Sequence, residues 1–259
     1  MHVYSSGNGN KTLVFLSGFG TPSPLYDFKT LYEKLSNDYK IVVVERFGYG
    51  YSDINSNPRN IETILNETRI ALKKSNHSPP YVLLPHSMSG LESIYWKNLH
   101  PDEINTIIGL DTLIPDYFLE TKEEVKISPI VTFLANSGLM RNQPNVCHDN
   151  FLAVQKGNLS EEDKEIACSI FFRRINTENM QNEAKMISKN SKLVNQNDNL
   201  SSPFNVFISN EADVLWKETL IHYSEKTGGK YYLLNASHYV HLDKPRFIYN
   251  KIIDLLESE

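Results

Sequence analysis

Short apolar runs rich in β-branched residues recur along the chain and alternate with segments of helical periodicity. The runs are almost continuously hydrophobic, which is typical of strands that are covered on both faces, as in a parallel sheet. They span residues 12–17, 41–45, 81–86, 106–111, 204–209 and 230–234, and residues 1–4 form a further candidate strand. The pattern predicts a mostly parallel central sheet.

Between these runs, apolar residues recur three or four positions apart, which places them on one face of a helix. Four such stripes occur, within residues 25–35, 61–72, 91–99 and 247–255. Pro101 and Pro245 stand where helices are expected to stop or start. Strands that alternate with helices predict βαβ units, with helices on both faces of the sheet.

The stretch 112–200 interrupts this alternation. It is polar, rich in Asn, Glu and Lys, mostly helical in pattern, and contains no clear buried strand. We therefore expect a core domain built from residues 1–111 and 201–259, with a helical cap inserted at 112–200. Residues 190–202 are the expected return linker.

Composition narrows the classes of partner. With 259 residues, 40% of them hydrophobic, the chain is long enough for one large α/β domain with an insertion. The net charge is −5 and no Lys/Arg-rich tract occurs, which argues against a nucleic-acid partner. No run of 18 apolar residues occurs, so we expect no transmembrane segment. The oligomeric state stays open.

The expected location is the cytoplasm. Because a strand begins at the first residue, an alternative is a membrane-tethered or extracytoplasmic protein whose N-terminal anchor is missing from this chain.

Cys147 and Cys168 are interpreted as two unrelated thiols, although a disulfide between them stays open. No second ligand pair stands at zinc-site spacing, and we expect no metal or cofactor.

The strongest chemical signal is the segment 83–91, Leu-Leu-Pro-His-Ser-Met-Ser-Gly-Leu, where a buried strand ends and an apolar-striped helix begins. A serine on such a sharp turn is held in a strained backbone conformation with its hydroxyl exposed. Small residues two positions away allow close backbone approach, and Ser89 fulfils this where Pro85 does not. The pattern predicts that Ser87 is a nucleophile.

A serine nucleophile needs a base, and the base needs a carboxylate that orients it. Asp213 and His238 each follow the end of a late strand, at the edge where open α/β sheets bind ligands. Three further possibilities stay open: His241 as the base, and Asp111 or Glu211 as the acid.

Three further segments extend the pattern. They are Leu-Ser-Gly-Phe-Gly at 16–20, Glu-Arg-Phe-Gly-Tyr-Gly-Tyr-Ser at 45–52, and His-Tyr-Val-His-Leu-Asp-Lys-Pro at 238–245. Together with the serine turn, they make the chain similar to the α/β-hydrolase superfamily, in its esterase, lipase and peptidase branch with a helical cap. The first segment resembles the oxyanion loop, with Ser17 in place of the usual His. The second resembles the Asp-x-x-Gly-x-Gly-x-Ser segment, with Glu45 in place of Asp.

The resemblance implies an α/β-hydrolase fold and a Ser-His-Asp triad. Ser87 attacks a carbonyl carbon, His238 moves the proton, and Asp213 orients His238. The backbone N–H groups of Phe19 and Met88 form the oxyanion hole.

The first functional hypothesis is hydrolysis of a carboxylic ester with a small-molecule apolar acyl group, which aromatic residues of the insertion and Trp216 would contact. Alternatives on the same triad are an aminopeptidase, a thioesterase or a C–C bond hydrolase. A peptidase needs an acidic anchor for the substrate amine, and the candidates are Glu123, Glu124, Glu161 and Glu162. A non-catalytic binding protein is a further alternative. Haloalkane dehalogenases and epoxide hydrolases are disfavoured, because they need Asp at position 87.

Overall fold

Seven strands form one sheet in the computed structural model, which describes residues 1–121, 137–143, 145–200 and 202–257. The strands are β1 (His2–Ser6), β2 (Thr12–Leu16), β3 (Lys40–Glu45), β4 (Tyr81–Pro85), β5 (Ile104–Leu110), β6 (Phe204–Ser209) and β7 (Tyr231–Leu234). Each sequence-predicted run coincides with one of these strands, and the boundaries agree to within two residues. Burial explains their composition, since every residue of β4 and β6 is buried.

The strand order is β1-β3-β2-β4-β5-β6-β7. The first strand pairs with β3 in the antiparallel sense, and all other neighbours are parallel. The carboxyl ends of β4, β5 and β6 therefore lie side by side at one edge of the sheet. This topology brings together the residues that follow the three strands.

Helices cover both faces of the sheet around two separate clusters of buried apolar side chains. Outside the insertion they are α1 (Pro24–Asp27), α2 (Lys29–Leu35), α3 (Ile61–Lys74), α4 (Ser89–Leu99), α10 (Val214–Lys226), α11 (Val240–Asp243) and α12 (Pro245–Glu257). The stripe at 25–35 is divided at Phe28 between α1 and α2. The stripes at 61–72, 91–99 and 247–255 coincide with α3, α4 and α12.

Between β5 and β6 the described residues form helices. These are α5 (Pro115–Thr121), α6 (Val146–Asn150), α7 (Leu152–Lys156), α8 (Glu161–Arg174) and α9 (Glu178–Gln196), with a short 3-10 turn at Leu139–Asn142. Ser160 caps α8 through a reciprocal capping box with Asp163, and Thr177 caps α9. An α/β-hydrolase fold with a helical insertion is therefore confirmed. The division into a core and a cap at residues 112 and 200 stays a prediction.

Cys147 in α6 and Cys168 in α8 form a disulfide, with their Cα atoms 5.6 Å apart. The interpretation of the two cysteines as unrelated thiols is therefore wrong. The pairing depends on how α6 and α8 pack against each other, which cannot be derived from the spacing of a single pair of cysteines.

The loop after β3 is fixed by the buried carboxylate of Glu45. Its oxygens accept hydrogen bonds from the backbone N–H groups of Leu25, at 3.2 Å, and Tyr51, at 2.8 Å. Gly50 has a φ of 49°, and a Cβ there would lie 1.9 Å from a Glu45 carboxylate oxygen. The Glu-x-x-Gly-x-Gly segment thus forms a rigid loop, which carries Arg46 beneath the edge of the sheet.

A search of the described residues for a helix of sufficient length and hydropathy to cross a membrane finds none.

Candidate active site

Ser87 lies on the turn between β4 and α4 with a φ of 52°, a left-handed conformation that non-glycine residues rarely adopt. Its carbonyl oxygen accepts hydrogen bonds from the Leu113 N–H at 2.7 Å and the Thr112 hydroxyl at 2.9 Å. These bonds stabilise the strained conformation. Such strain is concentrated at functional sites, where surrounding contacts over-determine the geometry.

Small residues around Ser87 permit this turn. A Cβ at Gly18 would lie 2.7 Å from the Ser87 Cβ, and one at Gly90 would lie 2.1 Å from the Leu113 carbonyl oxygen. The buried Ser89 hydroxyl donates to the Leu16 carbonyl at 2.7 Å. Pro85 ends β4 and does not disrupt the turn, because the N–H of the next residue, His86, still donates to the Leu16 carbonyl at 2.9 Å.

His238 lies beyond the end of β7, and its Nδ1 is 2.6 Å from Oδ2 of Asp111. Asp111 is fully buried immediately after β5, and its φ of 45° is also left-handed. With the carboxylate ionised, Nδ1 carries the proton and Nε2 is the unprotonated nitrogen. An imidazole in this tautomer is prepared to accept a proton at Nε2.

The second oxygen of Asp111 is also satisfied. Oδ1 accepts from the Ser209 N–H at 2.9 Å and from Nε1 of Trp216 at 3.1 Å. Three donors thus hold this carboxylate in one orientation, and each donor comes from a different part of the chain.

Asp213 is the expected hydrogen-bond partner of His238. The structure corrects this expectation, because the carboxylate bonded to His238 is that of Asp111. Asp213 is exposed and caps α10, accepting a hydrogen bond from the Trp216 N–H at 2.9 Å. Its other oxygen accepts from the Tyr117 hydroxyl at 3.2 Å. The physical reason is that both carboxylates follow neighbouring strands, and only the one after β5 turns inward.

His241 and Glu211 both lie away from this arrangement. His241 is fully buried, with Nε2 3.0 Å from Oδ2 of the equally buried Asp27. Glu211 is exposed, and its backbone N–H bonds to the Ser209 hydroxyl. His241 is therefore not the base that Asp111 orients, and Glu211 is not hydrogen-bonded to His238.

His86, the residue before Ser87, lies among aromatic rings. Its ring centre is 4.8 Å from those of both His238 and His241, and 5.0 Å from that of Tyr239. Its Nε2 donates to the His238 carbonyl at 3.1 Å, which fixes the tautomer. Burial, with the neighbouring imidazoles, lowers the pKa of His86 well below its usual value. His86 is therefore a neutral support for the loop that carries His238.

The Ser87 hydroxyl makes no hydrogen bond within the described part of the chain. Contacts between a nucleophile and its base are often longer before substrate binds. The backbone N–H groups of Phe19 and Met88 likewise donate to no acceptor among the residues that are described. Neither N–H group is therefore occupied by an acceptor among these residues, and their role as oxyanion donors stays a prediction.

Comparison with known proteins decides the family. The family model described as alpha/beta hydrolase fold matches residues 11–140, half of the chain. The chain belongs to the α/β-hydrolase fold family.

Among curated relatives of this α/β-hydrolase, the uncharacterized protein YbdG of Bacillus subtilis is 39% identical over 200 residues. That match covers 75% of this chain and 61% of YbdG. A second B. subtilis protein, YqjL, is 26% identical over 113 residues, 44% of each chain. The chain thus spans about three fifths or less of the length of these relatives.

Solved structures share the fold at low identity. A putative epoxide hydrolase from Pseudomonas aeruginosa has a TM-score of 0.68 and 15% identity, with 99% of this chain and 91% of that chain covered. The enol-lactonase from Burkholderia xenovorans has a TM-score of 0.65 and 15% identity, with 99% and 96% covered.

Aromatic side chains stand beside His238 in this α/β-hydrolase. The Trp216 ring centre is 5.6 Å from that of His238 and 4.9 Å from that of Tyr117. Phe151 and Phe171 of the insertion instead stack on each other inside a buried cluster. Phe133, another aromatic residue of the insertion, and the neighbouring Leu134 lie outside the described residues.

Proposed function

We propose that this α/β-hydrolase is a serine esterase in which Ser87, His238 and Asp111 form the catalytic triad. The observation that carries the proposal is the 2.6 Å contact from Nδ1 of His238 to the buried Asp111 carboxylate. It leaves Nε2 as a base at the edge of the sheet where the strained Ser87 turn lies.

The reaction follows from these groups. The Ser87 hydroxyl adds to the ester carbonyl carbon while Nε2 of His238 takes its proton. Asp111 stabilises the imidazolium that forms, and the N–H groups of Phe19 and Met88 bind the oxyanion. The imidazolium then protonates the leaving alcohol, and the acyl group remains on Ser87. Water, activated by His238, hydrolyses this acyl-enzyme and restores the hydroxyl.

The acyl or alcohol part of the substrate is proposed to be apolar, because Trp216 and Tyr117 place aromatic surface beside His238. Trp216 also donates to Asp111, so this surface is fixed relative to the triad. Rigid apolar walls with few polar groups are typical of small-molecule sites.

The peptidase alternative has less support. Glu161 and Glu162, two of its candidate amine anchors, are exposed in the first turn of α8. Glu123 and Glu124 lie outside the described residues.

Epoxide hydrolysis is suggested by the name of the P. aeruginosa neighbour, but Ser87 disfavours it because epoxide hydrolases need Asp at this position. A likeness at 15% identity supports only a shared fold.

The disulfide between Cys147 and Cys168 favours an oxidising compartment over the cytoplasm, where reducing systems keep most thiols reduced. We therefore propose that the protein acts outside the cytoplasm. Alkylation of thiols in protein taken directly from its native cell, before any lysis in air, tests this. Two alkylated cysteines would contradict it.

A fluorophosphonate probe tests the proposed chemistry, because an activated serine displaces its fluoride and becomes phosphonylated. We expect mass spectrometry to find the adduct on Ser87 in the wild type. S87A should show no adduct, and H238Q should react at least 10²-fold more slowly. H222Q, which alters an exposed histidine, is the matched control and should react at the wild-type rate. Absence of a Ser87 adduct in folded wild-type protein would refute the proposal.

A further inference from the structure

Arg46 is a buried cation directly beneath the oxyanion loop. Its side chain is 2% exposed, and it follows β3 in the loop that Glu45 fixes. Nη1 donates to the Ser17 carbonyl oxygen at 3.0 Å, and Nη2 donates to the Gly18 carbonyl oxygen at 3.4 Å. The guanidinium thus binds two successive peptide groups of this loop through their oxygen ends.

The second of these peptide groups joins Gly18 to Phe19. In a planar trans peptide, the C=O and N–H bonds point in opposite directions. A carbonyl held towards Arg46 therefore directs the Phe19 N–H away from Arg46. Gly18 itself lies against Ser87, since a Cβ on it would come 2.7 Å from the Ser87 Cβ. A cation bound at the oxygen also polarises the amide, which strengthens the N–H as a donor.

Two buried carboxylates balance the charge of Arg46. Oε2 of Glu183 is 3.5 Å from Nη2, and Oε2 of Glu92 is 3.6 Å from Nη1. The Tyr49 ring lies under the guanidinium, 4.8 Å from its central carbon. Although burial acts to lower it, the pKa of Arg46 is raised by these anionic neighbours, so the side chain stays charged.

The insertion supports the same loop through Tyr49. The Tyr49 hydroxyl donates to Glu183 of α9 at 2.6 Å and accepts from the Gly20 N–H at 3.4 Å. Residues on both sides of Phe19 are therefore held by one buried cluster, which consists of Arg46, Tyr49, Glu92 and Glu183. No group of this cluster is used in the triad.

We propose that Arg46 is a positioning residue for catalysis, which orients and polarises the Phe19 N–H through the Gly18 carbonyl and so stabilises the oxyanion of the transition state. This inference rests on the proposed esterase function and adds a residue to it. Because acylation and deacylation both pass through an oxyanion, removal of Arg46 should slow both steps and leave ground-state binding nearly unchanged.

Arg59 provides a matched control. It is equally buried, and it pairs with Glu67 at 2.7 Å and with Glu183 at 3.3 Å. It makes no hydrogen bond to the oxyanion loop among the described residues. R59Q therefore removes a buried cation from the same neighbourhood without touching the peptide between Gly18 and Phe19.

The test compares kcat and KM for p-nitrophenyl acetate in the wild type, R46Q, R46K, R59Q and R59K, with thermal unfolding of each variant. Direct loss of an oxyanion donor costs about 10²–10³ in rate. We expect R46Q to lose roughly 10- to 100-fold in kcat with KM within about threefold, since the donor remains but is misdirected. R46K should recover part of this loss because it keeps the charge.

R59Q and R59K should keep kcat within about threefold, even where they unfold at lower temperature than the wild type. Equal kcat losses in R46Q and R59Q, or a loss in R46Q that appears only in KM, would overturn the inference. If R46Q does not fold, the kcat of R46K is compared with that of R59K, and equal losses of kcat would again overturn the inference. Wild-type protein that is inactive would refute both the esterase function and the role of Arg46, whereas active wild type with unaffected R46 variants would refute only the latter.

Discussion

Two residues at neighbouring strand ends adopt a left-handed backbone conformation that their side chains disfavour. Ser87 follows β4 with a φ of 52°, and Asp111 follows β5 with a φ of 45°. Each is held by backbone hydrogen bonds, from Leu113 to the Ser87 carbonyl and from the Asp111 N–H to the Phe207 carbonyl. A non-glycine residue in such a conformation costs on the order of 1–3 kcal/mol.

Strain at Ser87 predicts that glycine stabilises the protein while abolishing its activity. S87G should raise the free energy of unfolding by about 1 kcal/mol, because glycine adopts positive φ without steric cost. S87A is the matched control, since alanine keeps the strain and also removes the proposed nucleophile. Denaturant unfolding measures both variants. An S87G protein less stable than S87A would contradict the assignment of strain to this turn.

His86 is 1% exposed, and its lowered pKa has a consequence for stability. The unfolded chain binds a proton on this side chain near the usual pKa of 6.5, whereas the folded protein does not. The contribution of His86 to the free energy of unfolding is therefore fully present above pH 6.5 and decreases as the pH falls below that value. The limiting slope for one such group is about 1.4 kcal/mol per pH unit.

Replacement of His86 by glutamine should flatten this dependence. H86Q keeps an N–H donor for the His238 carbonyl but has no proton to gain between pH 7 and pH 5. Unfolding free energies at several pH values compare it with the wild type and with H222Q, a change on an exposed face. A pH slope in H86Q as steep as in the wild type would show that other groups govern acid destabilisation.

At the scale of elements, the disulfide joins two helices of the insertion, α6 and α8. Cys147 is in α6 and Cys168 is in α8, and the two residues are 21 positions apart in sequence. Phe151, which lies between α6 and α7, stacks on Phe171 of α8 with the two ring centres 6.1 Å apart. The disulfide and this ring pair therefore both connect residues 147–151 to α8.

Removal of the disulfide should destabilise the insertion. A crosslink over a loop of this length is worth about 3 kcal/mol in the unfolded-chain entropy model. We expect the double variant C147A/C168A, and the wild type under reducing agent, to unfold at lower denaturant concentration. The double variant must not respond further to reductant. Equal stability of oxidised and reduced wild type would exclude a structural role for the bridge.

The strands were predictable because the buried parallel sheet requires continuous apolar runs, and 81–86 or 204–209 satisfy this without ambiguity. The disulfide was not, because it depends on helix packing. The acid of the proposed triad was not predictable from the sequence either, since Asp111 and Asp213 both follow strands that end at the same edge. The two residues differ in backbone conformation, since only Asp111 adopts the left-handed conformation that turns its side chain inward. The sequence does not reveal this conformation, because the residue that adopts it is not a glycine.

At the scale of the molecule, a polar contact fixes the insertion to the core. Asn190 of α9 is 5% exposed, and its amide oxygen accepts from the Ile61 N–H at the start of α3, at 3.0 Å. Its amide nitrogen donates to the Arg59 carbonyl at 3.1 Å. This one side chain satisfies two backbone groups of the core. The sequence predicted a helical insertion but gave no indication of these partners, which lie about 130 positions away.

Replacement of Asn190 should therefore weaken the whole protein. N190L leaves a backbone N–H and a carbonyl buried without partners, and each such group costs about 1–3 kcal/mol. We expect a loss of at least about 2 kcal/mol in unfolding free energy. N195L on the same helix changes an exposed asparagine and should have an effect within about 0.5 kcal/mol. Equal effects of the two changes would show that α9 does not depend on this contact.

The most direct test of the account compares ester hydrolysis by D111N and D213N. Asparagine keeps the shape of each carboxylate but cannot hold His238 in the tautomer with Nε2 unprotonated. If Asp111 orients His238, D111N should lower kcat by about 10⁴-fold, whereas D213N should change it by less than about threefold. An active wild-type enzyme that keeps its rate in D111N and loses it in D213N would contradict the triad proposed for this protein.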